Sequence, residues 1–173
     1  MPKTSLEFSE NRSMKNLIVL DLDNCLIYAG YDFIQNSELI AKKGFHYLYH
    51  RPNLLNLMNF LEDNFSIVFY TASKKDYAKW VVSSLPLKYK YPVFSRKWTK
   101  RKSTHYGEAY LKSIQFFDID CTGFERVYVL DDRPDLWTDE KNYYFDIDPW
   151  MGSGDDEELK RVLEKLQTIV KSW

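Results

Sequence analysis

Four short, strongly apolar segments recur along this chain, and helical patterns of apolar residues follow several of them. The segments are Leu17–Leu20, Phe65–Tyr70, Arg126–Leu130 and Tyr143–Ile147. A continuous apolar run is typical of a strand that is buried on both faces. The helical patterns begin at Leu54, Tyr77 and Leu159. Strands that alternate with helices predict an α/β fold with a mainly parallel sheet flanked by helices.

Local signals predict where the helices begin. Pro52 suits the first position of the first helix, since its fixed φ is already helical. Ser73 with Asp76, and Ser153 with Asp156, have the spacing of capping boxes at the start of the second and last helices.

The length of 173 residues predicts one domain. Residues 1–14 have the composition of a flexible leader, and we expect residues 15–173 to form a single domain. Within that domain the alternating pattern of Phe45–Tyr49 predicts a half-exposed strand.

Composition excludes several classes of protein. The net charge of -1 gives no global attraction to nucleic acid or to a membrane. No apolar run is long enough to cross a bilayer, and Met1–Arg12 lacks the apolar core of a signal peptide. Cys25 and Cys121 form no CxxC motif. We therefore expect an intracellular, cytoplasmic protein, or a nuclear one in a eukaryote, without a membrane partner.

Side chains suited to catalysis follow three of the four apolar segments. In chain order they are Asp21 with Asp23, Thr71, and Asp131 with Asp132. Ligands of parallel sheets bind beyond the carboxyl ends of the strands. We therefore expect these side chains to meet at one edge of the sheet.

The pair Asp21 and Asp23 is the strongest single signal. An extended backbone points side chains two residues apart to the same side. Two like charges at the end of a buried strand lose solvation, which is typical of a metal or phosphoryl site. One carboxylate is suited to attack phosphorus, and the other to donate a proton and later activate water. The alternative is a pair of loop carboxylates that caps a turn.

The other two strand ends predict phosphate and metal sites. Thr71 and Ala72 precede a helix, where a hydroxyl and free backbone N–H groups form a phosphate site; a simple turn is the alternative. Asp131 and Asp132 offer oxygen ligands that suit Mg²⁺. Asp135 is suited to an outer-sphere role, but turn chemistry explains this segment equally well.

A lysine is expected to offset the charge of the nucleophile and the phosphate. Lys112, which precedes the third apolar segment, is favoured over Lys100 and Lys102. The last two belong to the basic run Arg96–Lys102, which suits either the steering of a polyanion such as a nucleic-acid end or a solvated loop.

Taken in order, these motifs resemble the haloacid dehalogenase superfamily of aspartate-nucleophile phosphatases. Arg51–Pro52, Tyr70–Ser73 and Leu130–Pro134 narrow the resemblance to the small phosphatases of the RNA polymerase II C-terminal domain, also called NLI-interacting-factor-like phosphatases. The resemblance covers roughly residues 16–170. It implies a Rossmann-like, mainly parallel sheet flanked by helices. Little sequence is left for a large cap domain, so we expect none.

This resemblance implies a role for each motif. Asp21 would be the nucleophile that forms an aspartyl-phosphate, and Asp23 the general acid and base. The phosphoryl oxygens would be held by Thr71, Ala72 and Lys112. Mg²⁺ would be bound by Asp21, the backbone carbonyl of Asp23, and Asp131 or Asp132.

An open site without a large cap suits phosphoserine or phosphothreonine in a protein or peptide. Small phosphate esters and nucleic-acid phosphate ends are alternative substrates, and a non-catalytic binding module with this fold is the alternative function. Cys25 stands where the family usually has Thr or Val, and its similar size predicts changed packing rather than lost activity. A cysteine phosphatase is excluded, because no Arg lies six residues after Cys25 or Cys121.

Overall fold

The computed structural model describes residues 15–117 and 120–173, and the leader predicted at residues 1–14 lies outside them. The strands are β1 (Asn16–Leu20), β2 (Ile27–Gly30), β3 (Leu39–Lys43), β4 (His46–His50), β5 (Ser66–Tyr70), β6 (Val93–Phe94), β7 (Lys100–Thr104), β8 (Gly107–Leu111), β9 (Arg126–Leu130) and β10 (Tyr143–Phe145). The helices are α1 (Leu54–Asn64), α2 (Lys75–Ser84) and α3 (Glu158–Lys171). Among the described residues, no helix has the length and apolar character needed to cross a membrane.

Five parallel strands form the central sheet in the spatial order β10-β9-β1-β5-β6. Every residue of β1 and β5 is buried, as continuous apolar strands in a covered sheet require. The predicted α/β fold with a mainly parallel sheet is therefore confirmed. Because β9, β1 and β5 are neighbours, their carboxyl ends bring Asp131, Asp21 and Thr71 to one edge.

The two faces of the central sheet are covered by different kinds of structure. On one face Ile18 packs in a cluster that includes buried residues of all three helices. On the other face Val19 packs with aromatic side chains of β6 and of connecting segments. Phe94 and Phe117, for example, stack with ring centroids 4.0 Å apart on that face. The high aromatic content of 17% thus supplies a layer that helices supply in many α/β proteins.

Two antiparallel elements lie outside the central sheet. Strands β2, β4 and β3 form a separate three-stranded sheet. In the chain these strands lie between β1 and α1. The strand predicted at Phe45–Tyr49 is β4, but its two partners were not predicted. Strands β7 and β8 form a hairpin that pairs Lys100 with Leu111 and Thr104 with Gly107. Neither element forms a large cap, as the short length of sequence available for one predicts.

The start of α1 differs from the prediction. Pro52 is not the first helical residue, because α1 begins at Leu54. The residue at the N-cap, Asn53, has φ 67°, in the left-handed region that asparagine tolerates better than most side chains.

Both predicted capping boxes are wrong. Helix α2 begins after Ser73, whose hydroxyl donates instead to Asp23 Oδ2 at 2.8 Å. Helix α3 begins after Asp156, whose carboxylate accepts two hydrogen bonds of 2.7 Å from Arg51. Ser73 therefore makes a tertiary contact in place of a cap, whereas Asp156 makes both kinds of contact, since its Oδ1 also accepts the backbone N–H of Glu158 at 3.3 Å.

Candidate active site

A buried ion cluster joins the ends of β1 and β9. Asp21 directly follows β1, and Asp131 directly follows β9. Lys112 follows β8 and places its Nζ 2.7 Å from Asp21 Oδ1 and 2.6 Å from Asp131 Oδ2. All three residues are 7% exposed or less. The structure thus brings together the favoured lysine and two of the predicted carboxylates.

Burial and charge set the protonation of this cluster. Burial raises the pKa of Asp21 well above its usual range, the Asp131 carboxylate raises it further, and Lys112 offsets part of the rise. Burial lowers the pKa of Lys112, but Asp21 and Asp131 outweigh that effect and keep this pKa above its ordinary value. Lys112 is therefore a constant positive charge shared by two carboxylates.

Asp132 adds a third carboxylate beside the cluster. Oxygen atoms of Asp21, Asp131 and Asp132 lie within 4.8 Å of one another. Burial and the neighbouring Asp131 raise the pKa of Asp132. Three carboxylates facing one ammonium leave a deficit of positive charge in a largely buried place. The donor set therefore fits Mg²⁺, which prefers a few carboxylate oxygens together with water and phosphate oxygens.

The orientation of Asp131 is fixed by two further donors. The backbone N–H of Arg133 donates to Asp131 Oδ1 at 2.8 Å, and the indole N–H of Trp137 donates to Oδ2 at 2.8 Å. With Lys112, these contacts leave this carboxylate little freedom to rotate.

Asp23 lies in a different environment from Asp21, although only one residue separates them. It is half-buried, and its contacts are hydroxyl groups rather than an ammonium ion. Ser73 donates to Asp23 Oδ2 at 2.8 Å, with the Thr71 hydroxyl at 3.5 Å from the same atom. The hydroxyl of Tyr77 donates to Asp23 Oδ1. Residues of the turn after β5 and of α2 thus hold this carboxylate.

The turn after β5 is tightly ordered. Thr71 is buried, its N–H donates to the carbonyl of Phe94 at 2.9 Å, and its Oγ1 accepts the N–H of Ser73 at 3.0 Å. The carbonyl of Ala72 accepts a hydrogen bond of 2.7 Å from Arg96 Nε. Thr71 precedes α2, as predicted, although the helix begins only at Lys75, and the Thr71 hydroxyl lies near Asp23.

A buried arginine holds the loop that follows Asp23. Arg51 is fully buried, and its guanidinium forms a bidentate ion pair with Asp156. The same group donates to the carbonyl of Cys25 at 3.1 Å. The thiol of Cys25 lies 3.6 Å from the carbonyl of Leu130. Cys25 is fully buried, which agrees with the expected packing role.

Three candidate residues from the sequence, two lysines and one aspartate, lie away from these contacts. Lys100 and Lys102 are exposed on β7. Asp135 is exposed and pairs with the guanidinium of Arg133 at 2.8 Å, which lowers the pKa of this carboxyl.

Several residues of the site were missed by sequence reasoning. The spacing of Tyr77 predicts the apolar face of a helix and carries no sign that its hydroxyl turns back toward β1. Trp137 and Ser73 gave no signal for contacts with aspartates, since each partner is distant in sequence. Arg51 is indicated by the family resemblance alone.

Comparison with known proteins shows the family to which the chain is similar. A family model for NLI interacting factor-like phosphatases matches residues 16–172. A Dictyostelium discoideum protein named "Probable C-terminal domain small phosphatase" is 24% identical over 160 residues, which cover 89% of this chain and 50% of that protein. Nuclear envelope morphology protein 1 of Schizosaccharomyces pombe is 22% identical over 163 residues, which cover 90% of this chain and 33% of that protein.

The fold is also found in a solved structure. Fcp1, described as an essential RNA polymerase II CTD phosphatase, matches with a TM-score of 0.51 and 23% identity. The match covers 88% of this chain and 48% of that one. The chain thus spans half or less of the length of these relatives.

Proposed function

The chain belongs to the NLI-interacting-factor-like phosphatase family, and from that premise we propose that it is a magnesium-dependent phosphatase with Asp21 as nucleophile. One observation carries the proposal. Asp21 and Asp23 both follow β1 closely in the chain. Asp21 contacts a buried ammonium ion, whereas Asp23 contacts hydroxyl groups. Such a difference in surroundings supports two separate roles for two neighbouring carboxylates.

Each carboxylate has a defined part in the proposed reaction. In the first step an oxygen of Asp21 attacks phosphorus, the bond to the ester oxygen breaks, and Asp23 gives its proton to that oxygen. In the second step Asp23 takes a proton from water, which attacks the phosphoryl group and frees the Asp21 carboxylate. The Thr71 hydroxyl and the Lys112 ammonium bind phosphoryl oxygens during both displacements.

In this proposal Mg²⁺ would be held by Asp21, Asp131 and Asp132, with the backbone carbonyl of Asp23 as a further ligand. When bound, Mg²⁺ neutralises charge on the phosphoryl oxygens and orients them for displacement. The raised pKa values of Asp21 and Asp132 agree with a site that accommodates more positive charge than Lys112 supplies.

The proposed substrate is phosphoserine or phosphothreonine in a protein or peptide. Asp23, Ser73 and Tyr77 are all partly exposed, and neither antiparallel element forms a large cap. A side chain presented by another protein therefore has room to enter. The description of Fcp1 as a CTD phosphatase supports a phosphoprotein substrate for this related chain.

The test is hydrolysis of p-nitrophenyl phosphate by the wild type, Asp21→Asn and Asp23→Asn, each with Mg²⁺ and with EDTA. We expect activity only with Mg²⁺, none in Asp21→Asn, and a loss of about 10²–10⁴-fold in Asp23→Asn. Asp135→Asn, which changes an exposed carboxylate, is the matched control and should retain activity. Equal rates in the wild type and Asp21→Asn would contradict the proposal and favour a non-catalytic binding module.

A second measurement separates the substrate classes. A panel of phosphopeptides, small phosphate esters and 5′- or 3′-phosphorylated oligonucleotides is compared at equal concentration. Turnover of the esters or oligonucleotides alone would replace the phosphoprotein substrate with one of those alternatives.

A further inference from the structure

The segment that follows β9 returns to the end of β8 and clamps the backbone of Lys112. The Lys112 N–H donates to the carbonyl of Leu136 at 2.9 Å, and the N–H of Thr138 donates to the carbonyl of Lys112 at 3.0 Å. These two bonds flank Trp137, which forms an isolated β-bridge with Lys112. The chain thus places an indole ring beside the lysine of the buried ion cluster.

The side chains of Lys112 and Trp137 also converge on one atom. Lys112 Nζ lies 2.6 Å from Asp131 Oδ2, and the indole N–H of Trp137 donates to the same oxygen at 2.8 Å. A carboxylate oxygen accepts hydrogen bonds through two lone pairs. Because the indole occupies one lone pair, the ammonium has a single position left on this oxygen. From that position it also reaches Asp21 Oδ1 at 2.7 Å.

A second aromatic ring lies beside the ammonium. Lys112 Nζ is 5.6 Å from the centre of the Tyr70 ring, and this ring is perpendicular to that of Trp137, with centroids 5.5 Å apart. The Tyr70 hydroxyl donates to the carbonyl of Trp98 at 2.7 Å and accepts the N–H of Ser113 at 3.4 Å, which holds the ring in place. Since a cation is attracted to the face of an aromatic ring, Tyr70 favours the same position of the ammonium that the carboxylates select.

The order of this ammonium matters because a lysine side chain is otherwise a flexible chain of four carbons. An ammonium group has three N–H donors. In the part of the chain that the structure describes, Asp21 and Asp131 accept two of them. The third donor remains for a phosphoryl oxygen, and the two hydrogen bonds already formed set its direction.

We propose that Trp137 is a positioning residue that aims the Lys112 ammonium at the phosphoryl group. It acts through the Asp131 oxygen that it shares with Lys112. This inference rests on the proposed function, in which Lys112 binds phosphoryl oxygens during both displacements. Without the indole N–H, the ammonium can shift to the second lone pair of Asp131 Oδ2, and its third donor then points at the phosphoryl oxygen less of the time.

Kinetic measurements on Trp137→Phe test this role, since the variant keeps an aromatic ring and loses the donor. We expect kcat/KM to fall about tenfold, the lower end of the cost of losing a hydrogen bond to a charged group. The fall should be equal for p-nitrophenyl phosphate and a phosphoserine peptide, because Lys112 acts on phosphoryl oxygens that both substrates have. The matched control is Trp173→Phe, which changes an indole that packs against Phe65 and should keep the wild-type rate.

The same assays distinguish this role from an effect on Mg²⁺ or on the general acid. Raising Mg²⁺ until the wild-type rate is saturated should leave the gap between Trp137→Phe and the wild type open. Recovery with excess Mg²⁺ would show that the indole acts on the affinity of the carboxylates for the ion. A larger loss on the peptide would show that it acts on proton donation to the leaving group. Either result, or an unchanged rate in Trp137→Phe, overturns the proposal.

The ammonium is also observed directly by NMR, in EDTA and without substrate. Protein labelled with ¹⁵N-lysine gives an ammonium signal where the protons exchange slowly with water, as we expect for the buried and ion-paired Lys112. The variant Lys112→Arg identifies the signal by its loss. Trp137→Phe should shift and broaden it, whereas Trp173→Phe should leave it unchanged.

The NMR outcomes separate this proposal from the proposed function. A Lys112 signal that Trp137→Phe does not alter, or one that is missing from the wild type, overturns the positioning role. A signal that depends on Trp137, in a wild type that hydrolyses no phosphate ester, supports the positioning of Lys112 and contradicts the proposed function.

Discussion

The hydroxyl of Tyr77, on α2, donates a hydrogen bond to the carboxylate of Asp23, at the end of β1. Burial and the nearby Asp23 raise the pKa of Tyr77, so the phenol stays protonated and remains a donor. The second helix therefore orients the carboxylate that we propose as general acid and base.

Tyr77→Phe removes that donor while keeping the ring. We predict a fall in kcat/KM of about tenfold or more, since a hydrogen bond to a charged group contributes about 1.5–3 kcal/mol. The fall should be larger for a phosphoserine peptide than for p-nitrophenyl phosphate, because an alkoxide leaving group needs a proton more than a nitrophenolate does. Tyr91→Phe, which removes a hydroxyl bound to Glu62 at 3.0 Å, is the control. Equal losses on both substrates would contradict a role in positioning the acid.

Lys112→Met should destabilise the chain as well as abolish activity. It leaves Asp21 and Asp131 buried without their shared cation, and breaking a buried ion pair costs about 3–5 kcal/mol. The free energy of unfolding is measured by urea titration in EDTA. Added Mg²⁺ should restore stability to the variant more than to the wild type, because it supplies positive charge to the same carboxylates. Lys165→Met, exposed on α3, should change neither value, and identical Mg²⁺ responses would show that the cluster does not bind the ion.

Arg51→Met should unfold or strongly destabilise the protein. Arg51 is fully buried and pairs with Asp156, so its removal leaves a largely buried carboxylate unpaired at a cost of about 3–5 kcal/mol. Arg133→Met breaks an ion pair of the same bidentate type at the surface, where such pairs contribute about 0–1 kcal/mol. The melting temperatures of the two variants compare the loss of a buried ion pair with the loss of an exposed one. Similar melting temperatures would contradict the structural role of Arg51.

Cys25 should be unreactive in the native protein. It is fully buried, and burial raises the pKa of its thiol, so little thiolate is available to react. Iodoacetamide labelling followed by peptide mass spectrometry should modify Cys25 only after denaturation. Cys25→Thr should retain phosphatase activity, since the side chain packs near Leu130 without entering the ion cluster. Rapid native labelling would show that the loop after Asp23 opens.

The central sheet and its functional edge were predictable because their signals are local. Apolar runs such as Leu17–Leu20 identify strands, and a parallel arrangement then brings Asp21, Thr71 and Asp131 together. The antiparallel sheet of β2, β4 and β3 was not predictable in the same way, since its exposed strand β3 has no regular alternation of apolar residues.

Side-chain pairing was the least predictable level. The sequence pattern gives Ser73 a local role as a helix cap, but its hydroxyl binds Asp23 in the folded chain. Asp156 keeps a local hydrogen bond from the N–H of Glu158 and also pairs with Arg51, a distant partner that only the tertiary structure defines. The sequence favours Lys112 over Lys100 and Lys102 by its place ahead of β9, and by no property of the lysine itself.

The hairpin is attached to the sheet edge at two points, through Arg96 before it and through Lys112 directly after it. A displacement of the hairpin therefore acts on the Ala72 carbonyl and on the Lys112 ammonium together. Local unfolding of this exposed element would loosen the buried ion cluster, so the stability of the hairpin limits the order of the cluster.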